Sequence, residues 1–287
     1  MTQLQTIGDA SPLTARQLDA YLARIGLPRP ARADFAALAA IHRAHLLAFT
    51  WEALDAFMGW PSTLAAKDAH AKMVDGRRGG WCYEMNGLLG AALAGLGFRV
   101  TRLCAAVDRD KLGEAAIGNH LTLQVDLDRP YLAEVGLADA IIEPVPMTVG
   151  PIRQRGFAFS VAATDDGWLR FGNHALGLAR SFDFRPGIAD EASIAAAHRW
   201  LSRDPASPFT GSLGLFRHTP EGYVSLHGDR LRRTTSDRVA EQRIGGADQF
   251  AATLRTVFEI EVPQPRQVWD RVTATLEPGE AGRWVAV

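Results

Sequence analysis

Arg77-Arg78-Gly79-Gly80-Trp81-Cys82-Tyr83-Glu84-Met85-Asn86-Gly87-Leu88-Leu89 is the stretch from which the rest of the chain is read. The Gly79-Gly80 pair stops whatever precedes it and gives the backbone steric freedom. From Trp81 the spacing turns helical: Leu88, Leu89, Ala92, Leu93 and Leu96 share one face, and Gly97 follows as a stop. The pattern predicts a buried, apolar helix over about 81–96 with Cys82 in its first turn. The N–H groups and positive dipole end of a helix start favour a thiolate, and Arg77 and Arg78 stand just upstream. Cys82 is therefore a candidate nucleophile. The plainer reading is a small core residue, since free cysteine is among the most buried residue types. The Gly-Gly entry, the arginines and the polar Glu84/Asn86 pair weigh against it, because a purely structural helix prefers better helix formers there.

The whole chain has 287 residues, of which 47% are hydrophobic, enough for one large core or a few small ones. A net charge of −1 and an isoelectric point near 6.7 give no basic excess for nucleic acid or an anionic membrane. Met1 to Pro12 has no basic region followed by an apolar run, and no apolar stretch reaches bilayer length. The expectation is a cytoplasmic protein, in which Cys82 and Cys104 stay unpaired. There is no CxxC, no HExxH and no His/Cys cluster at zinc spacing, so no metal is expected. Phosphate-binding and dinucleotide-binding glycine loops are absent as well.

Before the cysteine stretch the chain reads helical. Leu18, Tyr21, Leu22 and Ile25 recur at helical spacing, with Thr14 as N-cap and Gly26 and Pro28 as terminators. Asp34 caps a second helix in which Phe35, Leu38, Ile41 and His45 share a stripe. His42 and His45 lack metal partners at matching spacing and read as packing or hydrogen-bonding groups. A short helix is expected near 65–75. After Gly97 the period changes to two. Residues 98–103, 120–127, 157–161 and 168–171 read as short strands, which suggests a small barrel or sandwich. A helix with Ile194, Ala197, His198 and Leu201 leads to a boundary near 202. Beyond it lie hairpin-like strands at 213–216, 222–226 and 229–233. A last helix carries Phe250, Leu254, Val257 and Phe258 and is ended by Pro263 and Pro265. Arg230, Arg232, Arg233, Arg238 and Arg243 form a basic cluster that reads as a solvated edge, or as a phosphate contact if the ligand carries phosphates.

A thiolate nucleophile needs a base, and the base needs an orienter. His120 is the best base, on the polar face of a strand whose other face is leucine-rich. Pairing Val125 with Tyr131 closes a turn over Asp126 to Pro130. In that register Thr122 opposes Glu134 and His120 opposes Gly136, so His120 and Glu134 become diagonal neighbours on one face. A one-residue slip would break this arrangement. Asp139 is the fallback carboxylate.

Arg-Gly-Gly-x-Cys-x-Glu-x-Asn-Gly followed by a leucine-rich helix resembles the arylamine N-acetyltransferase family. So do Ile41 to Leu54, the histidine strand Asn119-His120-Leu121-Thr122-Leu123, the acidic segment Tyr131 to Gly136, and Ser207-Pro208-Phe209-Thr210. The matches run in the family's order from about residue 40 to 260. The resemblance implies an α+β, three-domain fold with a cysteine-protease- or transglutaminase-like catalytic core: a helical bundle over 1–97 carrying the nucleophile, a β-barrel over 98–202, and an α/β lid over 203–287. It implies a ping-pong enzyme of xenobiotic metabolism that uses acetyl-CoA as co-substrate, acetylates Cys82, and passes the acetyl group to an arylamine, arylhydroxylamine or hydrazine, as a monomer or homodimer. By position it implies a Cys82–His120–Glu134 triad, with Trp51, Val107, Leu137 and Phe209 lining the acceptor pocket and Thr210 and Gly211 near CoA.

The chain departs from the family's pattern at three places. Glu134 stands where the family has aspartate. Thr50-Trp51-Glu52-Ala53 replaces Pro-Phe-Glu-Asn, and Gly136-Leu137-Ala138 replaces Gly-Phe-Gly. Trp51 is larger than phenylalanine and Leu137 loses a ring, so substrate preference is expected to differ. Three other functions share parts of this signature: an amide synthase of the same family acting on longer acyl thioesters in secondary metabolism, a transglutaminase-like cysteine hydrolase, and a non-catalytic relative that binds CoA.

Overall fold

The computed structural model describes residues 11–276. Helix α1 (Ala15–Ile25) opens on Thr14: its hydroxyl accepts the Gln17 N–H, and the Gln17 side chain accepts the Thr14 N–H at 3.1 Å. Gly26, in the left-handed region at φ 72°, ends it. Helix α2 (Phe35–Ala48) is capped by Asp34, which accepts from the Ala37 N–H at 2.9 Å. Its buried stripe is Leu38, Ile41, His42, His45 and Leu46. Phe35 was expected to join that stripe, but it stays 42% exposed and only its ring meets Tyr131. The first turn of α2 overhangs the core.

Strand β1 (Trp51–Glu52), helix α3 (Leu54–Met58), helix α4 (Ala66–His70) and one wide π-helical turn over Ala71–Asp75 lead to helix α5 (Cys82–Gly95). The predicted helix near 65–75 is thus α4 plus the wide turn. Gly79 and Gly80 do not adopt a left-handed conformation. They are glycine because of close approach: a Cβ on Gly79 would sit 2.1 Å from the Thr50 carbonyl oxygen, and one on Gly80 2.8 Å from Glu84 Cβ. The Gly80 N–H donates to Thr50 O at 3.1 Å, and the Glu52 N–H donates to Gly80 O at 3.0 Å. This pairing ties the start of α5 to β1.

Strand β2 (Arg99–Val107), helix α6 (Arg109–Leu112), a 3₁₀ turn over Gly113–Ala116, and strands β3 (His120–Asp126), β4 (Pro130–Ala133), β5 (Val145–Pro146), β6 (Gly150–Gln154), β7 (Phe157–Ala163), β8 (Leu169–Gly172) and β9 (Ser181–Phe184) follow. They form one antiparallel eight-stranded sheet in the order β5-β4-β3-β2-β9-β8-β7-β6, curled into a near-closed barrel. Val125 pairs with Tyr131 as expected. β3 departs from the expected half-solvated pattern and is buried on both faces, from His120 to Val125. The reason is that α5 packs on it.

Helix α7 (Glu191–Arg203) and helix α8 (Pro208–Gly211) precede strands β10 (Gly214–His218), β11 (Gly222–His227), β12 (Arg230–Thr235) and β13 (Val239–Arg243), then helices α9 (Ala247–Thr256) and α10 (Pro265–Ala274). β13 has no counterpart among the predicted strands. Pro265 does not end a helix; it begins α10, at a first-turn position where its missing N–H costs nothing. The second sheet runs β1-β10-β11-β12-β13, so a strand from the first hundred residues completes a sheet of the last hundred. One hydrophobic core joins the N-terminal helices to the barrel, and a second lies under the five-stranded sheet and takes in Leu54 and Phe57 of α3.

Candidate active site

Cys82 is the first residue of α5, after an extended Trp81 whose N–H donates to Glu84 Oε2 at 3.2 Å. It is buried and unpaired, as is Cys104. The residue across from it is Gly136. A Cβ there would lie 2.8 Å from Cys82 Cα and 2.4 Å from Asn86 Nδ2, so this backbone-to-backbone approach admits no side chain.

His120, at the start of β3, donates from Nε2 to Glu134 Oε2 at 2.9 Å. That leaves Nδ1 free, and Cys82 lines the same cavity as the ring. Burial alone would lower the pKa of His120. The Glu134 carboxylate, its hydrogen bond and the nearby Cys82 outweigh it, and the imidazole is pushed up to about 10. Glu134 is fully buried. Burial raises its pKa, but the facing His120 more than reverses this and leaves it below the ordinary carboxylate value.

The extra methylene of Glu134 is absorbed by leaving the sheet. The β3–β4 ladder ends at Leu123–Ala133, and the chain then turns away. Glu134 Oε1 curls back to accept the N–H groups of Gly136 at 2.5 Å and Leu137 at 2.7 Å. The Glu134 N–H donates to His42 Nε2, and His42 Nδ1 donates to Ile142 O, both at 3.0 Å. That tautomer fits a histidine whose burial lowers its pKa to about 4.

Asn86 lies one turn along α5 from Cys82 and is fully buried. Its Nδ2 donates to Leu121 O at 2.6 Å and to Glu134 Oε1 at 3.0 Å, while its Oδ1 accepts from the Val135 N–H at 3.0 Å. One side chain thus joins the cysteine helix, the histidine strand and the carboxylate segment. The sequence showed Asn86 as an odd polar residue in an apolar helix without showing what it holds.

Arg77 and Arg78 do not serve the thiol as expected. The Arg78 guanidinium donates to Glu52 Oε1 at 2.8 Å and Asp55 Oδ1 at 2.9 Å. Arg77 lines a separate cleft with Arg255 and Glu259. Lys72, which the sequence did not single out, donates to Asp55 Oδ2 at 2.6 Å and Glu84 Oε2 at 2.8 Å. Two cations and the three carboxylates of Glu52, Asp55 and Glu84 form a buried ionic cluster under the start of α5. Burial, then the neighbouring carboxylates against the pull of Lys72, pushes Glu84 up to about 7.

Trp51, Val107, Leu137 and Phe209 all line one cavity of about 60 Å³ with Cys82 and His120. Asp139 is in its wall, but its carboxylate accepts from Asn173 Nδ2 at 2.8 Å and the Leu178 N–H at 2.6 Å, not from His120. Thr210 and Gly211 are not in that cavity. The Thr210 hydroxyl donates to Asp204 O at 2.8 Å, and the residue lines a different cleft with Arg203 and Arg271; Gly211 is exposed. In the basic cluster Arg230 and Arg232 pair with Glu241, and Arg243 pairs with Asp229. Among the described residues there is no group of side chains able to hold a metal ion, and no helix is long and apolar enough to cross a membrane.

A sequence model of the N-acetyltransferase family matches residues 34–267. An arylamine N-acetyltransferase of Mycolicibacterium smegmatis is 40% identical over 279 residues, covering 92% of this chain and 99% of its own. The fold superimposes on the Mycobacterium marinum arylamine N-acetyltransferase in complex with CoA, with a TM-score of 0.81, 26% identity, and coverage of 90% and 99% of the two chains. The Salmonella typhimurium enzyme shares the fold at a TM-score of 0.80 and 23% identity, over 91% and 99%. The Cys82 stretch, the barrel and the shared architecture all lead to one assignment: this chain belongs to the arylamine N-acetyltransferase family and is an acyltransferase.

Proposed function

We propose that the protein carries out acetyl-CoA-dependent N-acetylation of arylamines, arylhydroxylamines or hydrazines through an acetyl-Cys82 intermediate, with His120 and Glu134 completing the triad. The observation that carries this reading is the His120–Glu134 hydrogen bond at 2.9 Å, with Cys82 and His120 lining one mostly apolar cavity. A raised imidazole pKa beside a carboxylate keeps His120 protonated at neutral pH.

In the first half-reaction Cys82 Sγ attacks the thioester carbonyl, an S–C bond forms, and the coenzyme's C–S bond breaks. CoA leaves as the thiol after taking the His120 proton. In the second, the amine nitrogen attacks the acetyl-enzyme, His120 accepts its proton, and Cys82 departs as thiolate. The N–H groups of Cys82 and Tyr83, at the first two helical positions, have no intrahelical acceptor and are offered to the oxyanion. Glu134 takes the N–H groups of Gly136 and Leu137, so those are not free for that role. Thr210, Gly211 and the Arg230–Arg243 edge are the candidates for CoA contact. The chain acts in the cytoplasm in this reading.

The test is intact-protein mass spectrometry after mixing with acetyl-CoA and no amine, with Cys82→Ala as control. A gain of one acetyl group, absent in the control and discharged by an arylamine, is the expected result. No adduct and no CoA release sinks the proposal. Rapid turnover to acetate without amine points instead to a hydrolase.

A further inference from the structure

Arg77 lines a cleft of about 480 Å³ that shares no wall residue with the Cys82 cavity. Arg255 of α9, Glu259 and Glu261 line it too, and the other wall residues are apolar. The Glu261 N–H donates to Arg77 O at 3.0 Å, which fixes the two sides of the cleft against each other.

Two further arginines approach Glu259 from other elements. Arg217 of β10 pairs with Glu259 at 2.8 Å and donates to Leu47 O, at the end of α2, at 3.2 Å. Arg24, in the last turn of α1, lies over the Phe49 ring at 5.1 Å. Burial, then the charge of Arg77, lowers the Arg24 pKa; Glu259 pulls the other way and Arg217 adds to the fall. The Nε atoms of Arg24 and Arg217 are buried and have no hydrogen-bond partner. Among the described residues no carboxylate forms an ion pair with Arg24, Arg77 or Arg255. Four guanidiniums thus gather around two carboxylates, an excess of two positive charges where the N-terminal helices meet the last part of the chain. Like charges held this close repel each other, and a bound anion relieves the repulsion.

We propose that the Arg24–Arg77–Arg217–Arg255 cluster is a binding site for a phosphate dianion, either inorganic phosphate or the phosphate of a small phosphomonoester. A dianion matches the excess charge. Its tetrahedral oxygens accept from guanidiniums that arrive from different directions, the contact for which arginine is suited. The open cleft beside the cluster leaves room for the rest of a monoester. The bound anion ties α1, the segment before α5 and the 255–261 segment together, and it stabilises the folded chain by mass action.

The test is isothermal titration of the full chain with inorganic phosphate and, in a parallel arm, with glycerol phosphate, at fixed pH and ionic strength. Saturable binding of one or both at millimolar concentration is expected, and the tighter of the two identifies the source of the anion. Arg77→Asn suits the left-handed backbone at that position, φ 49°, and Arg255→Gln changes an exposed helix residue. Each is expected to weaken binding about tenfold or more, the loss of one charge-assisted contact. Near-ultraviolet circular dichroism checks that each variant folds. No binding of either anion overturns the proposal, as does equal affinity in both variants. Displacement of the anion by CoA also overturns it, by giving the phosphate to the co-substrate's own site. None of these outcomes depends on acetylation of Cys82, so the proposal stands or falls apart from the reading of the active site.

Discussion

Asn86 Nδ2 lies 3.0 Å from Glu134 Oε1, so the helix that bears Cys82 holds the carboxylate that faces His120. A hydrogen bond to a charged, buried acceptor is worth about 1.5–3 kcal/mol. Asn86→Ala is therefore expected to lower kcat/KM by roughly 10- to 150-fold. The check is steady-state kinetics together with the rate of Cys82 alkylation by iodoacetamide across pH. Loss of positioning changes the pH dependence of alkylation, and loss of stability alone does not.

Glu134→Asp restores the residue that the family pattern carries, and it is expected to slow this enzyme by tenfold or more. Here one carboxylate oxygen meets His120 while the other meets Asn86 and two backbone N–H groups. A side chain one methylene shorter cannot span both sets from the same backbone position. Single-turnover acetylation of Cys82 measures the effect, and a faster variant would contradict it.

His120 carries the pH prediction. Its folded pKa, about 10, lies above its unfolded value, so the ion pair with Glu134 is complete at neutral pH and is lost as pH rises through about 10. The alkaline limb of kcat/KM is expected near that value. In Glu134→Gln the limb moves down by more than one unit, since the attraction that raised the imidazole is gone.

Gly136→Ala is expected to abolish measurable acetylation while the protein still folds. Its Cβ would meet Cys82 Cα and Asn86 Nδ2, so the start of α5 or the 134–137 segment must shift. Near-ultraviolet circular dichroism checks the fold, and acetyl-Cys82 formation checks the site.

Lys72→Met leaves three buried carboxylates facing Arg78 alone. Breaking a buried ionic group by removing one partner typically costs about 3–5 kcal/mol, and urea denaturation is expected to show a loss of that size. Adding Glu84→Gln should recover part of it. Glu84 titrates near 7, above its unfolded value, so its contribution to stability is complete below the ordinary carboxylate range and is lost as pH rises through about 7. Glu84→Gln flattens that part of the stability curve.

Much of this protein is written in local pattern. The start of α5 and the caps at Thr14 and Asp34 follow from side chains within a few residues, and the Val125–Tyr131 register follows from turn chemistry and period-two alternation. The sequence by itself therefore determined which residues begin each of these elements, and the resemblance carried by its motifs determined the family. Only the tertiary structure decided what long-range packing controls. Among the described residues, β1 completes a sheet built some 160 residues later, and β3 loses its solvent face to α5. Arg78 turns to Glu52 and Asp55 rather than to Cys82, Lys72 becomes the second cation of a buried cluster, and Asn86 and His42 become the clamps on the Glu134 segment. These outcomes depend on which buried polar group finds its partner across the fold. A buried charge or N–H must be satisfied wherever the backbone brings a partner, and no spacing along the chain records that meeting.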